Sequence, residues 1–421
     1  MTQQLGRLTV RLRIAVIQLN PQIGQVSGTT ARVNALLSRI EKYKPDIVVF
    51  PEFALSGYNF HCRQQIGPYL STVGQGPEWD LCHQISRQLS CVTVMGYPEK
   101  SDDGSTGQKV YNSVMVVNSK GELAFNYRKS FLYQTDDEWG CSENPAGFQT
   151  FRLPFAQKAR DSSGGLHDVS IKSAVGICMD LSPYKFEAPF QDFEFSSFHL
   201  ENATELILFP MAWLNSISVT ANTENPKRRE KQIAESLEAI RFPMSGSQGE
   251  FQWDVSLLDG TRVEEKPGHN FLGPSHENSD DTATDTFANP GQPDMSNLNY
   301  WILRFMPFLA YGGRGSWFME GLLDPILSKL RGLRFSYMGG SSEKPWLFEN
   351  RNAVAVLCNR CGVEDGSTVF AGTSSILKFN GQHGDTENNL DTSNSSVELV
   401  GNLSKGYEGV LIRDVEFEID R

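Results

Sequence analysis

Leu12-Arg13-Ile14-Ala15-Val16-Ile17-Gln18-Leu19 and, further on, Asp46-Ile47-Val48-Val49-Phe50 are two apolar runs of strand length. What lies between them decides the fold. From Thr29 to Tyr43, the residues Val33, Leu36, Leu37 and Ile40 recur at i, i+3, i+4 and i+7, which is one face of a helix. A helix joining two runs that can be buried on both faces is the crossover unit of an α/β sheet. The pattern continues outward. Leu81, Ile85 and Leu89 mark another helix and Val92 to Gly96 another strand, and Val110 to Asn118, Glu122 to Lys129, Ile171 to Cys178 and Leu206 to Phe209 lengthen the series. Asn118-Ser119-Lys120-Gly121 reads as a turn, so part of the sheet is a meander. The last recognisable sheet region is Ala353 to Asn359, with Ser374 to Leu377 close behind.

In a chain of 421 residues, 39% hydrophobic and 11% aromatic residues supply a sizeable core, so an α/β catalytic unit carrying insertions is expected. The single domain is expected over residues 10–380, with a long insertion at about 214–345 and a C-terminal extension at 381–421. Within the insertion, Lys227 to Ile240 reads as a charged helix, and residues 275–299 are so rich in Asp, Asn, Ser, Thr, Pro and Gly that a surface loop or disordered tract is expected. Trp301 to Leu309 is strongly apolar and should pack onto the core or onto another subunit. A formal net charge of −12 argues against a nucleic-acid partner, because such binding rests on Lys and Arg displacing counterions. No run of about 18 apolar residues is present, which argues against a membrane span. Seven cysteines, an odd number, suit free thiols in a reducing compartment. The expected location is cytoplasmic. The nucleus stays open, as does the mitochondrion, since residues 1–13 hold three arginines and no acid.

Three strand ends carry chemistry: Glu52 in Val49-Phe50-Pro51-Glu52, Lys129 in Tyr127-Arg128-Lys129, and Cys178 in Gly176-Ile177-Cys178-Met179-Asp180. A thiol of ordinary pKa is only slightly ionised at neutral pH and needs a base or a positive charge beside it. A carboxylate in an apolar pocket has its pKa raised towards that of the thiol, so Glu52 could take the proton, while Lys129 stabilises first a thiolate and then an oxyanion. Taken singly, each residue has a plainer reading: a buried small hydrophobe, a loop carboxylate, a surface charge. The weight rests on their combination. Cys358 and Cys361 form a C-x-x-C without a second pair at zinc spacing, and the histidines form no cluster, so no metal and no cofactor is expected.

Residues 47–58, 127–129 and 176–180 resemble the three catalytic motifs of the nitrilase, or carbon-nitrogen hydrolase, superfamily, with Glu52, Lys129 and Cys178 in the places of its Glu, Lys and Cys. Leu206 to Trp213 and Glu349 to Gly362 extend the likeness. The resemblance implies a four-layer α-β-β-α sandwich of the nitrilase type. It also implies a second glutamate shortly after the lysine, for which Glu138 fits best by spacing and Glu143 is the fallback. Residues 57–60, 131–141 and 178–189 are similar to the fungal protein N-terminal amidases. That family removes ammonia from the side-chain amide of N-terminal Asn or Gln, giving an N-terminal acid that feeds a degradation pathway. Its partners would be proteins or peptides with a free N-terminal Asn or Gln, and superfamily members commonly pair into a homodimer. One segment departs from the superfamily pattern: the usual Arg-Phe-Pro-Glu after the cysteine is replaced by Ser182 to Glu187. This counts against small free amides as substrates.

Asp180, two residues past the cysteine, would share its strand face if the strand continued, and could hold a substrate ammonium. Tyr58, Trp139 and Trp213 could wall the pocket. Two other readings stand beside the amidase: a carbon-nitrogen hydrolase acting on small amides or N-carbamoyl compounds, and a non-catalytic interaction protein on the same fold.

Overall fold

The computed structural model describes residues 6–102, 107–215, 218, 251–266, 290–311, 348–365, 368–382 and 388–421. Its strands in chain order are β1 (Arg7–Gln18), β2 (Ile47–Val49), β3 (Val92–Asp102), β4 (Gln108–Val117), β5 (Leu123–Arg128), β6 (Thr150–Arg160), β7 (Leu166–Val175) and β8 (Leu206–Met211). There follow β9 (Gln252–Ser256), β10 (Arg262–Glu265), β11 (Ala353–Asn359), the short β12 (Val363–Glu364) and β13 (Thr368–Val369), then β14 (Ser375–Phe379), β15 (Val397–Asn402) and β16 (Gly409–Asp420).

One half of the sheet runs β10-β9-β16-β1-β2-β3-β4-β5 and the other β15-β14-β11-β8-β7-β6. They are joined where β1 meets β6 through the pairs Thr9 with Arg160 and Val10 with Ala159. Strand β1 explains why the halves fold onto each other. Its residues Leu8, Val10, Leu12, Ile14 and Val16 point one way, into a core shared with Leu153, Ile171, Val175 and the run Leu206 to Phe209 of the other half. Ala15 and Ile17 point the opposite way, with Val48, Phe50, Met95 and Met115, against Val33, Leu36, Leu37 and Ile40 of the helix Val26–Glu41 and Leu81 and Ile85 of the helix Pro77–Leu89. On the far side, Phe195 and Leu200 of the helix Glu194–Glu201 and Leu298, Trp301 and Ile302 of the helix Met295–Arg304 cover the other half. The result is the expected four-layer α-β-β-α sandwich. Each inward Ile or Leu is fully buried, so truncating one such as Ile14 to Ala should cost about 2–5 kcal/mol.

The expected domain limits need correction. Residues 381–421 are not an extension beyond the sheet: β15 pairs β14, and β16 pairs β1 along its full length, Arg7 with Asp420 through Gln18 with Gly409. The signal was present, because Val415, Phe417 and Ile419 alternate with Glu416, Glu418 and Asp420 at the period of a half-buried strand. The stretch 214–345 is not wholly an insertion either. Strand β9 adds in parallel to β16, and Trp301, Ile302, Phe305 and Phe308 are buried in the apolar cluster that holds both faces of β8 and β11, so the apolar run packs onto its own chain. The polar tract 275–299 is described only from residue 290, where Asp294 caps the helix Met295–Arg304 by accepting from the Asn297 N–H. Residues 275–289, and the expected helix at Lys227 to Ile240, lie outside the described residues. Among the described residues no helix is long and apolar enough to cross a membrane.

Topology sets the position of the site. Strands β1, β2 and β3 are mutually parallel, and β5 returns to their direction because β4 is antiparallel to both β3 and β5. In the other half β7, β8 and β11 are parallel. Ligand sites of α/β sheets form at carboxyl ends of strands. The segments that follow β2, β5, β7 and β8 carry Glu52, Lys129, Cys178 and Ala212.

Candidate active site

Glu52 follows β2 after Phe50 and Pro51, in a backbone that leaves regular strand geometry at once: Phe53 has φ 47°. The strand beneath is matched to it. A Cβ on Gly96 of β3 would lie 2.6 Å from the Glu52 Cα and 2.8 Å from both the Phe53 N and the Pro51 O, so only glycine lets the Glu52 backbone lie this close. The carboxylate is fully buried and accepts three hydrogen bonds. Oε1 takes the Asn112 Nδ2 at 2.6 Å and the Lys129 Nζ at 2.9 Å, and Oε2 takes the Ala212 N–H at 2.7 Å. Burial raises the Glu52 pKa from its ordinary value; Lys129 pulls it down and Asp136 pushes it further up.

Lys129 ends β5 and is as deeply buried, with Nζ 2.9 Å from Glu52 and 2.7 Å from Asp136 Oδ2. Burial opposes its charge, but Asp136 and then Glu52 more than restore it, leaving the ammonium pKa well above that of an ordinary lysine. Asp136 sits in the short helix Gln134–Glu138, where Oδ2 also accepts the Tyr133 N–H at 3.0 Å. Asn112 of β4 spans the two acids, giving one N–H to Glu52 and the other to Asp136 Oδ1 at 3.0 Å.

Cys178 comes from the other half. Strand β7 stops at Val175, and Gly176 is packed so tightly that a Cβ would stand 2.3 Å from the Phe209 ring and 2.7 Å from that of Phe195. The chain then turns into the 3₁₀ segment Cys178–Leu181, opened by Cys178 itself at φ 42°, a left-handed conformation that costs a residue with a Cβ about 1–3 kcal/mol. Such strain is often found at functional sites. The side chain is 7% exposed. Burial pushes the thiol pKa well up and the Glu52 charge adds to this, while Lys129 and the Ala212 N–H favour the thiolate. The resting group is therefore a protonated thiol with a buried base and a buried cation within electrostatic reach. Asn112 and Lys129 occupy Glu52 Oε1, so Oε2, which holds only the Ala212 N–H, has room to receive a proton.

Glu52, Lys129 and Cys178 are thus brought together; the other expected residues fare differently. The acid beside Lys129 is Asp136, not Glu138 or Glu143. Glu138 is exposed and lies 3.3 Å from His61 Nδ1, and Glu143 accepts the Tyr184 hydroxyl at 2.7 Å on the surface. The run Asp136-Asp137-Glu138 offered three acids at adjacent positions, of which a helical turn can aim only one at Lys129. Asp180 is not available to a ligand ammonium. The strand does not continue, and its buried carboxylate accepts the N–H groups of Ile177 at 2.8 Å, Ser130 at 3.0 Å and Phe131 at 2.8 Å, with the Tyr127 hydroxyl at 3.0 Å. It ties the cysteine turn to the segment just past Lys129. Burial pushes its carboxyl up to about 7 against those donors.

Tyr58 is buried with its ring 5.8 Å from the Lys129 ammonium, in an apolar cluster with Phe53, Phe60, Trp139 and Ala212. Its backbone N–H is held by Glu364, itself paired with Arg360. The Tyr58 hydroxyl and the Trp139 indole N–H are buried and have no hydrogen-bond partner among the described residues. Trp213 is turned elsewhere: its indole N–H donates to Asn297 and its ring packs on Tyr300 and Trp301. Asn112, Asp136 and the Ala212 N–H were not found from sequence. Asn112 and Asp136 are polar residues in ordinary strand and turn contexts, and a backbone N–H has no sequence signal at all.

Residues 13–181 match the carbon-nitrogen hydrolase family. The protein N-terminal amidase of Saccharomyces cerevisiae is 44% identical over 99% of this chain and 97% of its own length. A crystal structure of an N-terminal amidase with a Gln-Val peptide superposes with a TM-score of 0.84 at 45% identity, covering 99% of this chain and all of the other. One with an Asn-Glu-Ala peptide gives 0.83 at 45% identity over the same shares.

Proposed function

The chain belongs to the carbon-nitrogen hydrolase family, and we propose that it works as a protein N-terminal amidase, hydrolysing the side-chain amide of N-terminal Asn or Gln to the acid with release of ammonia. The observation that carries the chemistry is the buried Glu52–Lys129 contact at 2.9 Å facing the Cys178 thiol. The observation that carries the substrate is the likeness over nearly the whole chain to amidases solved with Gln- and Asn-initiated peptides.

In the proposed mechanism Glu52 Oε2 takes the Cys178 proton as sulfur attacks the carboxamide carbon. Lys129, fixed by Asp136, stabilises the oxyanion together with a backbone N–H. Glu52 returns the proton to the departing nitrogen, ammonia leaves, and a thioester remains on Cys178. Water deprotonated by Glu52 hydrolyses it, and the thiol is recovered. A protonated resting thiol suits this order, since the proton leaves only as the carbon–sulfur bond forms. Asn112 holds Glu52 Oε1 so that Oε2 stays turned to the reaction.

Two measurements test the proposal. Glu52→Gln incubated with an Asn-initiated peptide should carry an acyl adduct on Cys178 by mass spectrometry; an adduct on another cysteine would refute the assignment. The same peptides with an acetylated N-terminus should release no ammonia. Equal release from both forms would return the enzyme to the small-amide class. Two finer points belong to the proposal: a homodimer, as the superfamily resemblance implies, tested by sedimentation, and residence in the cytoplasm, consistent with seven cysteines in a reducing compartment and tested by fractionation.

A further inference from the structure

Cys178 is held at φ 42°, a backbone conformation that persists only where the surroundings over-determine it. Asp180 fixes the front of its turn by gathering the N–H groups of Ile177, Ser130 and Phe131. The back of the turn is fixed from 123 positions further along the chain, where the Arg304 Nε donates to the Leu181 carbonyl at 2.7 Å. Leu181 is the last residue of the 3₁₀ segment Cys178–Leu181 and is buried, so without Arg304 its carbonyl would be an unmet acceptor away from water.

The same guanidinium reaches a second segment. Its Nη1 donates to the Phe190 carbonyl at 2.5 Å, and Nη2 meets Glu194 Oε2 at 3.3 Å, while Glu194 Oε1 accepts the Tyr184 N–H at 3.1 Å. Segment 182–189, which departs from the superfamily pattern, is therefore spanned at both ends by one side chain and held in its middle through Glu194. Arg304 is 1% exposed, with the ring centroids of Phe190 and Phe193 at 4.8 and 5.0 Å from Cζ. Burying a cation is costly, and an apolar side chain would fill the space more cheaply. What the guanidinium adds is a rigid planar fork that fixes two carbonyls from separate segments at set angles, which an ammonium on a flexible stem does not provide.

We propose, for the amidase reaction read above, that Arg304 is a positioning residue for the nucleophile: by holding the Leu181 carbonyl it locks the Cys178 turn from behind, as Asp180 locks it in front. The helix Met295–Arg304, which lies in the stretch first read as an insertion, then serves the reaction without touching the substrate.

The test is steady-state ammonia release from an Asn-initiated peptide by wild type, Arg304→Lys and Leu298→Ala, at a temperature where circular dichroism shows all three folded. Arg304→Lys keeps the charge and loses the fork, so kcat should fall about 10- to 100-fold, the scale of a misplacement of about 1 Å, while KM stays within about threefold. Leu298 is buried on the same helix, and Leu298→Ala loosens that helix without removing a hydrogen bond from the turn, so kcat should stay near the wild-type value. Should Arg304→Lys not fold, Arg304→Gln, which drops the charge and keeps a donor for Leu181, carries the same expectation. Unchanged kcat in the Arg304 variant, an equal loss in Leu298→Ala, a change confined to KM, or failure of both Arg304 variants to fold would overturn the assignment. Absence of ammonia from every Asn- and Gln-initiated peptide with the wild-type enzyme would instead remove the amidase reading, and the role of Arg304 in that reaction with it.

Discussion

Asp136→Asn removes one negative charge from the buried centre and keeps the shape of the side chain. In the native site Glu52 and Asp136 grip the same ammonium, at 2.9 Å and 2.7 Å, and the same Asn112 amide, at 2.6 Å and 3.0 Å. Their charges are thus no more than about 6 Å apart, where two unit charges at an effective dielectric constant of about 20 repel by about 3 kcal/mol, or about 2 pK units. This repulsion is one reason the Glu52 pKa is raised, although burial is the larger one. Removing it lowers the Glu52 pKa. The acid limb of the kcat/KM profile reports Glu52 losing its proton in the free enzyme, so it should move to lower pH by about 1–2 units, the upper end being the uncompensated repulsion. At the same time kcat should fall by about 10²-fold, because Lys129 loses the partner that fixes it and draws more tightly on the carboxylate that must accept protons. The assay is ammonia release from an Asn-initiated peptide as a function of pH, with the fold checked by thermal unfolding. An acid limb that stays in place or moves to higher pH would refute the reasoning, whatever happens to kcat.

Three further changes separate positioning from chemistry. Asp180→Asn replaces an acceptor of four hydrogen bonds with an amide that cannot satisfy them all, and the stranded buried N–H groups should cost about 2–4 kcal/mol in denaturant unfolding and reduce turnover; native stability would show that the carboxylate is not what holds the turn. Gly96→Ala drives a methyl against the Glu52 backbone and should lower kcat by about 10²-fold or more through misplacement of the base, and near-normal kinetics would mean that the two backbones are not so closely packed. Glu138→Gln alters an exposed side chain, so unfolding should shift by less than about 0.5 kcal/mol and turnover should stay within about twofold; a collapse of activity would restore Glu138 as the second acid.

The buried strands β2, β7 and β8, the amphipathic helix Val26–Glu41 and the meander of β4 and β5 were legible because each is written in a local period. The same holds for the placing of an acid, an amine and a thiol directly after strands. Strand β16 was equally periodic and was missed because its outward positions are charged, so composition masked alternation. What the sequence by itself determined is the repertoire: which runs can be buried, and which reactive groups stand at their ends. Tertiary structure alone decided which groups meet. That Asp136 rather than its neighbours reaches Lys129, that Asn112 from another strand spans the two acids, and that Asp180 is consumed by backbone N–H groups all depend on where a helical turn and a 3₁₀ turn aim their side chains. A rotation of one residue around a helix is about 100°, enough to exchange a buried contact for solvent, and only the packing of both sheet halves fixes that angle.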